Sequence, residues 1–137
     1  MAKLLYSELT SVIIEVAIEI HSRLGPGLLE SAYRAILAYE LRKRGYNVVE
    51  ERPVPIIWDE KHIAVGFRAD LLVEDLILVE LKSVERMPPV YYQQLLTHLR
   101  LLDKKVGLLI NFNVVRLKDG IKRMVNRAFD EDFAPND

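Results

Sequence analysis

Val12, Ile13, Val16, Ala17, Ile20 and Leu24 recur three and four residues apart, a spacing that predicts an amphipathic helix over residues 10–24. Ser7 or Thr10 can cap its start. Gly25-Pro26-Gly27 ends it, because glycine accepts left-handed backbone and proline cannot continue a helix. Leu29, Ala32, Tyr33, Ile36, Leu37 and Leu41 form a second stripe, over residues 28–44, which Gly45 stops. The period then changes. Residues 46–49 and 54–58 read as extended, and Pro53 and Pro55 mark an edge strand. Ile63, Val65 and Phe67 alternate with other residues, and residues 69–73 follow. Residues 76–83 are almost continuously apolar, as in a strand covered on both faces. Pro88-Pro89 breaks the chain before a helix over residues 90–103. Residues 106–112 form another buried strand, and Asp119-Gly120 a turn before residues 121–125. The order is two helices, three or four strands, a helix, then one or two strands. That is an α/β domain with a mixed sheet.

The chain has 137 residues, half of them hydrophobic and 28% charged, so one globular core is expected. The expected organisation is a single domain over residues 1–129 and a frayed acidic tail over 130–137. The absence of cysteine removes disulfides, thiolate zinc sites and cysteine nucleophiles, and suits a reducing cytoplasm. With only His21, His62 and His98, a histidine-built zinc site is not expected. Glu8, Glu15 and Glu19 and the lack of a small-residue cleavage site argue against a signal peptide. No uncharged run approaches the roughly 20 residues of a membrane span. A cytoplasmic protein without a membrane partner is therefore expected. Net charge is −1, but residues 85–127 carry +6 and the remainder −7. Such a half can build a basic face for a polyanion, or simply solubilise the surface.

Glu80 and Lys82 interrupt the most buried run of the chain, where unpaired charges are costly. Strand alternation points both the same way, with Leu81 between them. Asp70 lies on the preceding strand. Two carboxylates can hold Mg²⁺, which activates water and neutralises a phosphate, while an ammonium steadies the attacking water or the developing charge. The register decides whether they meet. A two-residue turn at Glu74-Asp75 pairs Val73 with Leu76 and turns Asp70 to the opposite face. Asp70 meets Glu80 only through a three-residue connection, Glu74-Asp75-Leu76, or a bulge near Asp70. By spacing alone, the same residues also fit a structural ion pair at a sheet end.

Gly27-Leu28-Leu29-Glu30-Ser31-Ala32-Tyr33 carries a G-x-x-E-x-x-Y signature. His21 to Gly27, Ala38-Tyr39-Glu40-Leu41, Asp70-Leu71-Leu72-Val73, Glu80-Leu81-Lys82-Ser83-Val84, Gln94-Leu95-Leu96-Thr97 and Leu109-Ile110-Asn111-Phe112 accompany it. Together they resemble the GxxExxY protein family, of the PD-(D/E)xK nuclease superfamily, from about residue 8 to residue 127. The resemblance implies a restriction-endonuclease-like αβββαβ core, its mixed sheet flanked by helices, with an extra N-terminal helix. It implies Mg²⁺ or Mn²⁺ held by Glu30, Asp70, Glu80 and the Leu81 carbonyl. Lys82 would be catalytic, and Gln94 would orient substrate or water. The activity implied is hydrolysis of nucleic-acid phosphodiesters, DNA ahead of RNA, with a homodimer by analogy. The alternative is a non-catalytic module on the same fold, binding nucleic acid or protein. The chain departs from the superfamily pattern at Ala69, where proline is usual, and at His98, where tyrosine is usual.

Plainer readings stand beside these. Glu30 complements a helix dipole, Tyr33 is a core residue with a satisfied hydroxyl, and His21 is a structural hydrogen-bonding histidine. Of the adjacent Gln93 and Gln94, one at most reaches the site. Tyr91 and Tyr92 can stack on bases or simply pack. If nucleic acid crosses the site, several of Arg86, Arg100, Lys104, Lys105, Lys118, Lys122 and Arg123 should share its face. Crowded carboxylates should raise the pKa of at least one of them.

Overall fold

The first apolar stripe folds as α1 (Ser7–Leu24), burying Ile13, Val16, Ala17 and Ile20. The structure, a computed structural model, describes residues 6–127, so the expected acidic tail lies outside the described residues. Neither Ser7 nor Thr10 caps α1. Tyr6 holds that position in left-handed backbone, and the Thr10 hydroxyl instead donates to the Tyr6 and Ser7 carbonyls. Gly25, at φ 75°, closes the helix by donating its N–H to the His21 carbonyl at 2.7 Å. After a short loop, α2 (Glu30–Lys43) buries Tyr33, Leu37, Ala38 and Leu41. It ends before Gly45, at φ 95°.

Five strands follow: β1 (Val48–Trp58), β2 (Lys61–Val73), β3 (Ile77–Lys82), β4 (Val106–Asn111) and β5 (Ile121–Val125). They lie in sequence order across one sheet. All neighbours are antiparallel except β3 and β4, which α3 (Pro89–Leu102) joins as a crossover. The result is an αβββαβ core with α1 in front and β5 behind, the mixed, helix-flanked, restriction-endonuclease-like arrangement expected. β1 is an edge strand, where Pro53 and Pro55 leave no central ladder bond unmade. The extended pieces expected separately at 46–49 and 54–58, and at 63–67 and 69–73, are each one long strand. The ribbon they form stays paired through a positive φ at Glu51 and a register shift between Val54 and Ile56.

The helices α1 and α2 cover one sheet face, meeting Leu71, Val73, Ile77, Val79, Leu81, Leu108 and Ile110. On the other face α3 sets Leu95 and Leu99 against Ala69, Leu78 and Leu109. Helices on both faces explain the unbroken apolar runs of β3 and β4. Tyr33 ties the α1–α2 loop to this core. Its ring stacks on Phe112 at 4.2 Å, and its hydroxyl donates to the Gly25 carbonyl (2.6 Å) and accepts the Leu28 N–H (3.1 Å). The Tyr33→Phe variant leaves both loop groups without that partner. Urea unfolding should show a loss of about 1–3 kcal/mol, with the ring packing retained.

Candidate active site

The parity of the β2–β3 register places the acids. Val73 pairs with Ile77, Leu72 with Leu78 and Leu71 with Val79. The connection is therefore the three-residue one, Glu74-Asp75-Leu76, with Glu74 and Asp75 at φ 54° and 55° and the Leu76 N–H bonded to the Val73 carbonyl. The pairing ends at Leu71 and Val79, just short of Asp70 and Glu80. There the backbone ladder gives way to a side chain: the Leu81 N–H donates to Asp70 Oδ2 at 2.8 Å. N–H and C=O of one strand residue leave along the same edge, so the Leu81 carbonyl also faces the β2 side.

Asp70 is where the local charges add up. Its carboxyl is raised from 3.8 to about 6, first by burial, then by repulsion from Glu80 and Glu30. The Leu81 N–H and the Lys82 ammonium oppose the rise without cancelling it. Four residues named from the sequence, on β2, β3 and the start of α2, therefore interact at one point.

Their individual settings differ. Glu80 is 7% exposed, and its carboxylate is hydrogen-bonded by His98 Nδ1 of α3. The Lys82 ammonium sits over the Tyr91 ring, 4.4 Å from its centroid, rather than in a direct ion pair with either acid. Glu30 is exposed in the first turn of α2, where it also complements the helix dipole. Ser83, next to Lys82, fastens the end of β3 to the loop before α2, its hydroxyl donating to the Leu28 carbonyl at 2.7 Å. Gln94 is exposed on α3, on the helical stripe between Tyr91 and His98, and is not hydrogen-bonded to the acids. Gln93 is exposed as well. Among the described residues, no three His, Asp or Glu side chains are gathered closely enough to hold a metal ion. Glu30 and Glu80 thus act on Asp70 by like-charge repulsion, held near it by the fold, without forming a closed cage.

Two residues without a role in the sequence reading shape the site. His98 is one. Its signal was a single imidazole on the apolar stripe of Leu95, Leu99 and Leu102. Asn111 is the other, a buried amide ending the apolar run of β4. Its Oδ1 accepts the N–H groups of Val84 and Asn113, and its Nδ2 donates to the Val84 carbonyl, which fixes the chain leaving Lys82. His21 Nε2 donates to the Val114 carbonyl at 2.8 Å, a structural link between α1 and the loop after β4.

Four of the basic residues are placed by pairing and contacts, and these do not gather at one point. Lys122 lies in the row Glu80, Leu109, Lys122 across β3, β4 and β5, on the α3 face. Arg123, opposite Leu108, belongs to the α1–α2 face. Lys104 is paired with Asp75 at 3.1 Å, and the Lys105 carbonyl accepts the Asn126 N–H. Both lie at the end of β3 remote from Lys82, because the crossover helix carries the chain back along the sheet.

Residues 7–124 match the profile of the PD-(D/E)XK nuclease superfamily. The match spans most of the chain, which belongs to that superfamily. Searches of curated proteins and of solved structures return no match. No helix among the described residues is long and apolar enough to cross a membrane.

Proposed function

We propose that this chain is a nuclease of the GxxExxY kind, hydrolysing nucleic-acid phosphodiesters with the help of Mg²⁺ or Mn²⁺. The observation that carries the reading is Asp70 bonded to the Leu81 N–H just beyond the β2–β3 ladder, where the charges of Glu80, Lys82 and Glu30 all act on it, inside the segment matched to the superfamily. Two carboxylates, a carbonyl and water suit a small oxygen-loving cation, and the excess negative charge that raises Asp70 is what such a cation relieves. Asp70, Glu80 and the Leu81 carbonyl would hold it, with Glu30 completing the set through water. When bound, it would supply Lewis acidity toward water and phosphate. Water attacks phosphorus, its proton is lost, the P–O bond to the leaving oxygen breaks, and that oxygen takes up a proton. Lys82 can swing from the Tyr91 face to steady the developing charge, since a cation–π contact is worth only about 0.5–2 kcal/mol. Gln94, exposed on α3 between Tyr91 and His98, would orient substrate. A single domain over residues 1–129, a cytoplasmic setting, DNA ahead of RNA and a homodimer belong to the same proposal.

One observation favours a second reading, a non-catalytic binding module: Glu80 is already engaged by His98. Incubation of the protein with labelled single- and double-stranded DNA and RNA separates the two. A nuclease gives products with Mg²⁺ or Mn²⁺ and none in EDTA. A module retains the strand in every buffer and yields no product. In either case log affinity should fall with log salt by about 0.7–0.9 for each phosphate contact.

A further inference from the structure

Glu80 is buried to 7% exposure, and a buried carboxylate demands a partner. The cation nearest in sequence, Lys82, is drawn instead to the face of Tyr91. His98 fills the need, and more than burial fixes it there. Its ring stacks on Phe67 with centroids 3.5 Å apart and planes 13° from parallel. Phe67 lies on β2, three residues before Asp70, so the strand that carries one acid also carries the platform that orients the other. On α3, the fully buried Leu95 and Leu99 flank His98 and leave the helix little freedom to rotate. A carboxylate only accepts, so Nδ1 carries the hydrogen and donates to Glu80 Oε1.

We propose that His98 is the positioning residue of this site, fixing Glu80 as a ligand through one oxygen and so selecting small cations; the inference rests on the metal-dependent reading above. With Oε1 accepting from the imidazole, Oε2 is the oxygen that His98 leaves free to ligate. Single-oxygen ligation suits Mg²⁺ and Mn²⁺. Ca²⁺, with six to eight oxygen ligands and frequent two-oxygen carboxylates, is disfavoured.

Calorimetric titration of the full chain with Mn²⁺ and with Ca²⁺, without nucleic acid, tests this. The side chain of His98→Asn can place its N–H where Nδ1 stands. That of His98→Gln places it near the Nε2 position, away from Glu80. The Asn variant should keep most of the Mn²⁺ affinity. The Gln variant should lose about tenfold or more, as outer partners of metal ligands typically do. Ca²⁺ should be less affected, so the preference for Mn²⁺ narrows. Equal behaviour of the two variants, whether both bind or neither does, overturns the positioning role. Asp70→Asn keeps the failures apart: if it binds Mn²⁺ as well as wild type does, or wild type binds none, the metal reading itself falls and the positioning role with it.

Discussion

Replacing Asp70 by asparagine will stabilise the metal-free protein at neutral pH while abolishing any response to Mg²⁺ and any cleavage of nucleic acid. The stabilisation follows from the raised carboxyl. Its ordinary value is 3.8 and its folded value about 6. Between those values the folded chain binds more protons than the unfolded one, so stability falls as pH rises through the window. The contribution of protonated Asp70 is fully present below about pH 4 and is gone above about pH 6 to 7. Each pKa unit corresponds to about 1.4 kcal/mol, so the loss is on the order of 3 kcal/mol. Asparagine keeps an oxygen for the Leu81 N–H and carries no charge for Glu80 and Glu30 to repel. In EDTA at pH 7.5 the variant should melt several degrees above wild type, and at pH 4 the difference should shrink. Added Mg²⁺ should then raise the wild-type midpoint and leave the variant unmoved. A variant no more stable than wild type at pH 7.5 would mean that Asp70 carries no strain for a cation to relieve.

The fold was legible where side chains report a single environment. β3 and β4 lie between helices on both faces, so their runs are apolar throughout and read at once as buried strands. β1 and β2 are different. Their ribbon passes from the α1–α2 side, at Val48 and Leu71, to the α3 side, at Val54 and Ala69, and ends with Ile57 and Trp58 exposed. No one alternation describes such a strand, and each phase change looked like a break. The start of α1 was misjudged for a local reason: the serine and threonine that could cap it lie inside the helix, behind a left-handed Tyr6.

The site was legible as a condition. A period of two allows Asp70 to face Glu80 only if an odd residue enters the connection, and that residue is Leu76. Its place in the turn could not be chosen beforehand, because Glu74 and Asp75 adopt positive φ without the glycine or asparagine that advertises it. The bond from His98 to Glu80 spans 18 residues and depends on how α3 is turned about its axis. Asn111, likewise, shows its purpose only once the chain after Lys82 folds back onto β4. Charge counting failed for Lys104 and Lys105, because a total says nothing about which end of a crossover helix a lysine occupies.

Lys82 gives the sharpest separation of chemistry from architecture. It is half-buried, its ammonium rests on Tyr91, and among the described residues it is the cation whose charge lowers the Asp70 carboxyl. Methionine in its place preserves an unbranched apolar stem against the ring and removes the charge. If Lys82 steadies charge on the reacting phosphate, Lys82→Met should reduce the single-turnover cleavage rate by about 10²–10³. The same change takes a positive neighbour away from the acids, so Mn²⁺ should bind at least as tightly and its thermal stabilisation should persist. Lys82→Arg keeps the charge on a longer, planar head and should recover part of the rate. A structural lysine predicts the reverse pattern: a lower melting point, weakened metal response and a cleavage rate that falls only with the folded fraction. If Lys82→Met cleaves as fast as wild type, the ammonium is no part of the reaction, and its place over Tyr91 is simply where a half-buried lysine finds a π face.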